Sequence, residues 1–193
     1  MITIRKANIN DASFIALVIA EALGDDIMLR NATSICPTDE HRLRLLTDVA
    51  RADATLYSWR HTLIAQDSHG TPVGALVASP GDDYITMRKP TFEMLSELIS
   101  FDISAMDAET LPGEYYVDSI AVLPQYRKQG IATALILALV EELGKRGSRC
   151  LTLEVRACAP DNLGAKQLYQ SLGFSHQGNL FIFGHHYLRM VAQ

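Results

Sequence analysis

Apolar and polar residues alternate from Ile2 to Ala7 in the manner of a strand, and the pattern switches to a helical period from Ala12 to about Leu23. Asn10 or Asp11 would cap that helix, and Gly24 would end it. After Pro37-Thr38-Asp39-Glu40, the residues Leu43, Leu46, Val49 and Ala50 recur at three-to-four spacing and predict a second helix. Thr62 to Gln66 and Val73 to Ser79 flank the polar turn Asp67-Ser68-His69-Gly70-Thr71, which predicts an antiparallel hairpin. An irregular stretch, 80–113, surrounds a short helical pattern from Thr91 to Phe101. From Glu114 the order sharpens into a strand (Tyr115 to Val122), a glycine-containing turn, a helix (Ile131 to Leu143), a strand (Cys150 to Val155) and a helix (Leu163 to Leu172). A strand, a crossover helix and a second strand imply parallel neighbours joined right-handedly. Phe174 to His176 and Leu180 to Val191 would add one or two strands. The expected fold is a single α/β domain over residues 1–193: a mixed sheet of six or seven strands, antiparallel on its N-terminal side and parallel at its central pair, with helices on both faces.

Composition narrows the function. The 193 residues are 48% hydrophobic and 20% charged, which excludes disorder and coiled coil. A net charge of −5 argues against general nucleic-acid binding, which draws its affinity from Lys and Arg on phosphates. The longest nearly apolar stretch, Ile131 to Val140, falls well short of the roughly 20 residues that cross a bilayer. No membrane span is expected. Three cysteines, Cys36, Cys150 and Cys158, have no C-x-x-C spacing and read as free thiols in a reducing cytoplasm. His185 and His186, adjacent in a predicted strand, point to opposite faces and hold no metal. Residues 80 to 116 carry eight acidic side chains against Arg88 and Lys89. They read either as a solvated face or as a rim whose field attracts a cationic substrate.

The chemistry is concentrated between Tyr116 and Thr133, a strand feeding a helix. Pro124 ends ladder pairing, Gly130 permits a backbone geometry closed to other residues, and the first turn of the helix leaves N–H groups without intrahelical partners. With the positive end of the helix dipole they form a site for a phosphate or pyrophosphate, and Arg127 and Lys128 add charge beside it. The spacing matches neither G-x-x-x-x-G-K-[ST] nor G-x-G-x-x-G, so the ligand is phosphorylated but is not expected to be ATP or NAD.

Arg127-Lys128-Gln129-Gly130-Ile131-Ala132 fits [RQ]-x-x-G-x-[GA], after a strand ending in Ala-Val-x-Pro. A second pattern, N-x-x-A-x-x-L-Y-x-x-x-G-F, is met by Asn162, Ala165, Leu168, Tyr169, Gly173 and Phe174. In these two patterns the chain resembles the GCN5-related N-acetyltransferases, or GNAT family. The resemblance is specific over residues 114 to 176 and generic over residues 1 to 79.

The resemblance implies acetyl transfer from acetyl-CoA to a primary amine by direct attack in a ternary complex. Backbone N–H groups of Gln129, Gly130, Ile131, Ala132 and Thr133 would hold the CoA pyrophosphate, with Arg127 and Lys128 at the entrance. The strands ending near Val122 and Val155 would splay around the pantetheine arm, and the N–H of Val122 would face the thioester oxygen. Asn162 would bind near the pantetheine or cap its helix. Tyr169 would protonate the departing thiolate. Glu154 and Asp118 are the two candidate bases, each an acid within an apolar strand. Leu151-Thr152-Leu153-Glu154-Val155-Arg156 resembles members that act on protein N-termini, but here Ala157 to Asp161 intervene before Asn162, which argues against the same peptide acceptor. The acidic stretch 80–116 leans towards a small amine or polyamine as the acceptor, with a peptide N-terminus or lysine, or a non-catalytic acyl-CoA-binding module, as alternatives. Tyr57 and Trp59 either wall the acceptor pocket or pack in the core. A homodimer is a further implication of the family.

Overall fold

The computed structural model describes residues 1–30, 39–98, 106–146, 151–156, 163–182 and 185–192. In chain order they form β1 (Thr3–Lys6), α1 (Ala12–Arg30), α2 (Asp39–Arg51), β2 (Thr62–Gln66), β3 (Pro72–Pro80), α3 (Tyr84–Met94), β4 (Tyr115–Val122), α4 (Ile131–Arg146), β5 (Leu151–Arg156), α5 (Leu163–Ser171), β6 (Ser175–Ile182) and β7 (His185–Ala192). The seven strands make one sheet in the order β1-β2-β3-β4-β5-β7-β6. Every neighbouring pair is antiparallel except β4 and β5. The mixed sheet and its single parallel pair are those the sequence predicts.

Period-2 alternation assigns the strand residues to two cores, one on each face. Ala75 and Val77 of β3 face Ile15, Ile19, Leu46 and Val49 of α1 and α2, with Tyr57, Tyr84 and Met87. Leu76 and Ala78 face the other way, toward Ile131, Leu135 and Leu139 of α4, with Tyr169 of α5 and Phe174. A small third cluster joins Phe92 and Met106 to Ile182, tying the stretch between β3 and β4 onto the β6–β7 hairpin.

Three local expectations are corrected. The cap before α1 is Asn8, whose side chain accepts from the N–H of Asn10 while Asp11 accepts from the N–H of Asn8 at 2.8 Å. Asp11 also takes both arms of Arg5 at 2.8 Å, a pairing across β1 that local sequence does not announce. Gly24 does not end α1, which runs to Arg30; a glycine within a helix costs only about 1 kcal/mol, and the packing of Ile15, Ala16, Val18 and Ile19 outweighs it. The helix placed at Thr91–Phe101 instead starts at Tyr84 and ends at Met94, with Pro90 inside it. Burial of Tyr84 and Met87 anchors its first turns, although Pro90 removes one backbone donor.

Candidate active site

Pairing between the two parallel strands is short. Tyr115, Tyr116 and Val117 of β4 face Leu151, Thr152 and Leu153 of β5, and the register stops there. Beyond it, Glu154, Val155 and Arg156 pair only with β7, while β4 continues to Val122 against β3. The point of divergence has a local cause. On β3, Val77 and Ala78 are consecutive, but their β4 partners are Ser119 and Val117, so Asp118 is an extra, unpaired residue. Such a bulge bends its strand and sharpens the local twist. It sits one residue past the last β4–β5 pair and opens a V between the strands.

The N–H of Leu123 donates to Val73 at 2.9 Å. Alternate residues of an antiparallel ladder bond to the same neighbour, so the N–H of Val122 points the opposite way, to the side from which β5 has parted. The carbonyl of Val122 receives the Arg127 Nε at 2.9 Å.

At the mouth of the V, Pro124–Tyr126 form one 3-10 turn, Lys128 has φ 59°, Gly130 has φ 77°, and α4 begins at Ile131. Two left-handed residues so close together turn successive amides toward one point, and a lysine at positive φ carries a strain that glycine does not. The Arg127 guanidinium also meets Glu21 of α1 at 2.6 Å, an exposed pair of small energetic weight. An anionic group fits this turn: orphan amides and the helix dipole meet on exposed residues, with Arg127 and Lys128 next to them in the chain.

On the α1–α3 face lie two acids, Glu109 buried and Asp118 half-buried. Asp118 accepts from the hydroxyl of its neighbour Ser119 at 2.8 Å. Burial, and next the charge of Glu109, push its carboxyl up to about 8. Glu109, from the stretch between α3 and β4, is only 6% exposed. It accepts from Tyr84 Oη and Tyr116 Oη, each at 2.7 Å. Burial raises its pKa, and the two tyrosine hydrogen bonds oppose that rise in part. The phenol of Tyr57 is raised well above its ordinary range, by burial first and then by the charges of Asp118 and Glu109. Ser79 and Thr152 flank Tyr116 in register on β3 and β5, both fully buried, with hydroxyls that bond to nothing among the described residues.

Tyr169 lies on the opposite face. It is 8% exposed and edge-on to Phe174 at 5.9 Å between ring centroids. Burial pushes its phenol up to about 12, so it stays protonated at neutral pH.

Asp118 and Val122 thus lie on the β4 edge that leads into the turn of Arg127, Lys128, Gln129 and Gly130 and the start of α4, while Tyr169 packs in the core with Val117 and Ile131. Glu154 is placed on β5 opposite Arg189 of β7, and its side chain lies outside the described residues. So do Asn162 and the loop from Ala157 to Asp161, together with Cys36, Cys150 and Cys158. Tyr57 belongs to the wall of the acidic cluster, whereas Trp59 stacks under Arg60 at 4.4 Å. Sequence reasoning missed Glu109, which it counted only as one acid in an acidic stretch. Its one signal was distance: a tyrosine on each flank, Tyr84 and Tyr116, able to meet it only after folding. Among the described residues, no group of three or more His, Cys, Asp or Glu could hold a metal ion, and no helix is long and apolar enough to cross a membrane.

This geometry can be set beside known proteins. Residues 28–174 match the acetyltransferase (GNAT) family. The chain belongs to that family. It is 51% identical over 57 residues to a ribosomal protein bS18-alanine N-acetyltransferase of Escherichia coli K12, a match covering 30% of the chain and 36% of that relative's length. A Haemophilus ducreyi protein of the same name is 33% identical over 114 residues, 58% of the chain and 72% of the relative. A crystal structure of an acetyltransferase superposes with TM-score 0.77 at 29% identity, covering 99% of this chain and 98% of that one. GNAT acetyltransferases use acetyl-CoA.

Proposed function

We propose that the protein transfers an acetyl group from acetyl-CoA to a primary amine by direct attack in a ternary complex, the acceptor being a compact cationic amine. One observation carries this reading. The V between β4 and β5 opens at Asp118, a half-buried carboxyl, with the buried Glu109 acting on it and a protonated tyrosine on the other face of the sheet.

Acetyl-CoA supplies the thioester carbonyl. The amides of Gln129 to Thr133 bind its pyrophosphate, and Arg127 and Lys128 add charge at the entrance. Arg127 gives up a weak surface pair to do so. The Val122 N–H faces the thioester oxygen, where one such donor is typically worth about 3 kcal/mol of transition-state stabilisation. An amine attacks only when neutral. As the nitrogen–carbon bond forms, Asp118 takes the amine proton; as the carbon–sulfur bond breaks, Tyr169 donates its phenol proton to the leaving sulfur. We take Asp118 as the base: it stands at the point where the strands part, and a carboxyl raised to about 8 holds and releases protons in the physiological range.

The acceptor assignment rests on the stretch between β3 and β4. Asp82, Asp83, Glu93, Glu97 and Asp107 stand in solvent there, while Glu109 turns inward and its charge acts on Asp118, a negative field that favours an ammonium group. A peptide N-terminus is the second reading, favoured by relatives named as alanine N-acetyltransferases of ribosomal protein bS18. The test is release of CoA thiol with 1,4-diaminobutane, spermidine and an alanine-leading peptide. Turnover of the diamines above the peptide supports the first reading and the reverse order supports the second. No release with any amine, despite acetyl-CoA binding, defeats acetyl transfer.

A further inference from the structure

Arg127 is held at two points, and one of its partners is an acid, which a site for a polyanion has no evident use for. Its Nε donates to the Val122 carbonyl at 2.9 Å, and a terminal nitrogen donates to Glu21 Oε1 of α1 at 2.6 Å. The direction of the side chain follows from its neighbours. Pro124 to Tyr126 close a tight turn, in which the N–H of Tyr126 donates to Leu123 at 2.8 Å and that of Arg127 to Pro124 at 3.3 Å. Tyr126 packs with the core on the α4 side of the sheet. Arg127 reaches instead to α1, whose Ile15, Ala16 and Ile19 are fully buried in the core of the opposite face. That burial anchors the helix two residues before Glu21 and so sets the carboxylate beside the turn.

Val122 is the last residue of β4, and its carbonyl, like its N–H, points to the side from which β5 has parted. The Nε bond therefore places the guanidinium at the end of the free β4 edge, next to the turn before α4. The two bonds use two of the five donors of a guanidinium, and the Arg127 side chain is 47% exposed, so it stays open to a ligand.

We propose that Glu21 competes with acetyl-CoA for Arg127. In the free protein the carboxylate holds the guanidinium; in the complex the donor's diphosphate displaces it, and when CoA leaves the pair closes again. Glu21 thereby sets the affinity of the donor site from within the chain. This rests on the reading of Arg127 as a donor-binding residue and adds the group that opposes binding. Linkage gives the size of the effect: affinity is reduced by the fraction of molecules in which the competing contact is closed. Exposed ion pairs are weak, which suits an exchange that runs in both directions at every turnover. The bond to Val122 uses a different nitrogen, so exchanging one anion for another leaves the guanidinium at the end of β4.

The experiment is a double-mutant cycle read by calorimetric titration of acetyl-CoA and of CoA into wild type, Glu21→Gln, Arg127→Met and the double variant. Glu141→Gln, which removes another exposed acid, paired with Lys145 on α4, controls for the change in overall charge. Thermal unfolding checks folding, and Glu21→Ala repeats the test with a second side chain. Glu21→Gln is expected to tighten both ligands by about two- to sixfold. Arg127→Met is expected to weaken them, and the gain from Glu21→Gln to vanish once Arg127 is replaced. If Glu21→Gln weakens binding or leaves it unchanged while Arg127→Met weakens it, competition is overturned and Arg127 stays in the donor site. A gain that Glu141→Gln matches, or that persists in the double variant, belongs to the field of the whole chain and overturns the proposal too. If Arg127→Met leaves both affinities unchanged, the reading of Arg127 as a donor residue falls with it. Failure of both Glu21 variants to fold would make the pair structural and overturn the proposal.

Discussion

Val117 and Leu153 are the last residues of β4 and β5 to face each other, and Asp118, the next residue of β4, is the one that β3 also leaves unpaired. A single extra residue therefore does two things. It ends the parallel ladder, and it places a carboxyl at the apex of the opening. Replacing Asp118 by Asn keeps the bulge, so acetyl-CoA binding should survive while turnover falls by roughly 10² to 10⁴, the usual contribution of a positioned acid or base. Equal losses in acetyl-CoA affinity and turnover would mean that the residue shapes the V instead of moving protons.

Tyr169→Phe removes one oxygen from a ring that is packed on Phe174. Stability should change little. The account predicts a fall in kcat of roughly 10² to 10⁴ with the KM for acetyl-CoA nearly unchanged. Steady-state kinetics at saturating amine read both quantities, and an unchanged kcat would remove Tyr169 from the mechanism.

Gly130 has φ 77° and open space where a Cβ would stand, so alanine there meets no clash and feels only backbone strain. That strain is about 1–2 kcal/mol. Relief of it would reorient the amides before α4. Gly130→Ala should therefore weaken acetyl-CoA binding roughly tenfold, by calorimetric titration, and leave the amine KM alone.

Asp11 offers a check on stability that is independent of catalysis. Its carboxyl is held below the ordinary range, first by the Arg5 hydrogen bonds and then by the backbone N–H of Asn8, with burial opposing. A depressed carboxylate stabilises the fold above its unfolded pKa of about 3.9 and loses that contribution as pH falls through the folded value. Asp11→Asn should cost about 1.5–3 kcal/mol at pH 7. In denaturant titrations the difference from wild type should shrink below pH 4, and a constant difference would contradict the assignment.

Much of the site was legible because it is local. Pro124, Gly130 and the switch from period 2 to period 3.6 mark the end of β4 and the start of α4, and no distant residue is needed to read them. The course of α1 past Gly24 and the early start of α3 were not legible, since each depends on side chains buried against other elements. The bulge at Asp118 was equally hidden. Nothing in Tyr116-Val117-Asp118-Ser119 distinguishes a regular strand from one with an extra residue until β3 sets the register. Glu109 is the extreme case: its two partners stand 25 positions before it and 7 after it.

If the protein works as proposed, the unpaired edge of β4 receives the thioester arm. Residue-resolved amide hydrogen exchange on β4, with and without saturating CoA, tests it most directly. Slower exchange at the Val122 amide on binding, together with protection of the amides at Gly130 to Thr133, is the predicted result. Protection at the turn with Val122 exchanging as fast as in the free protein would contradict it.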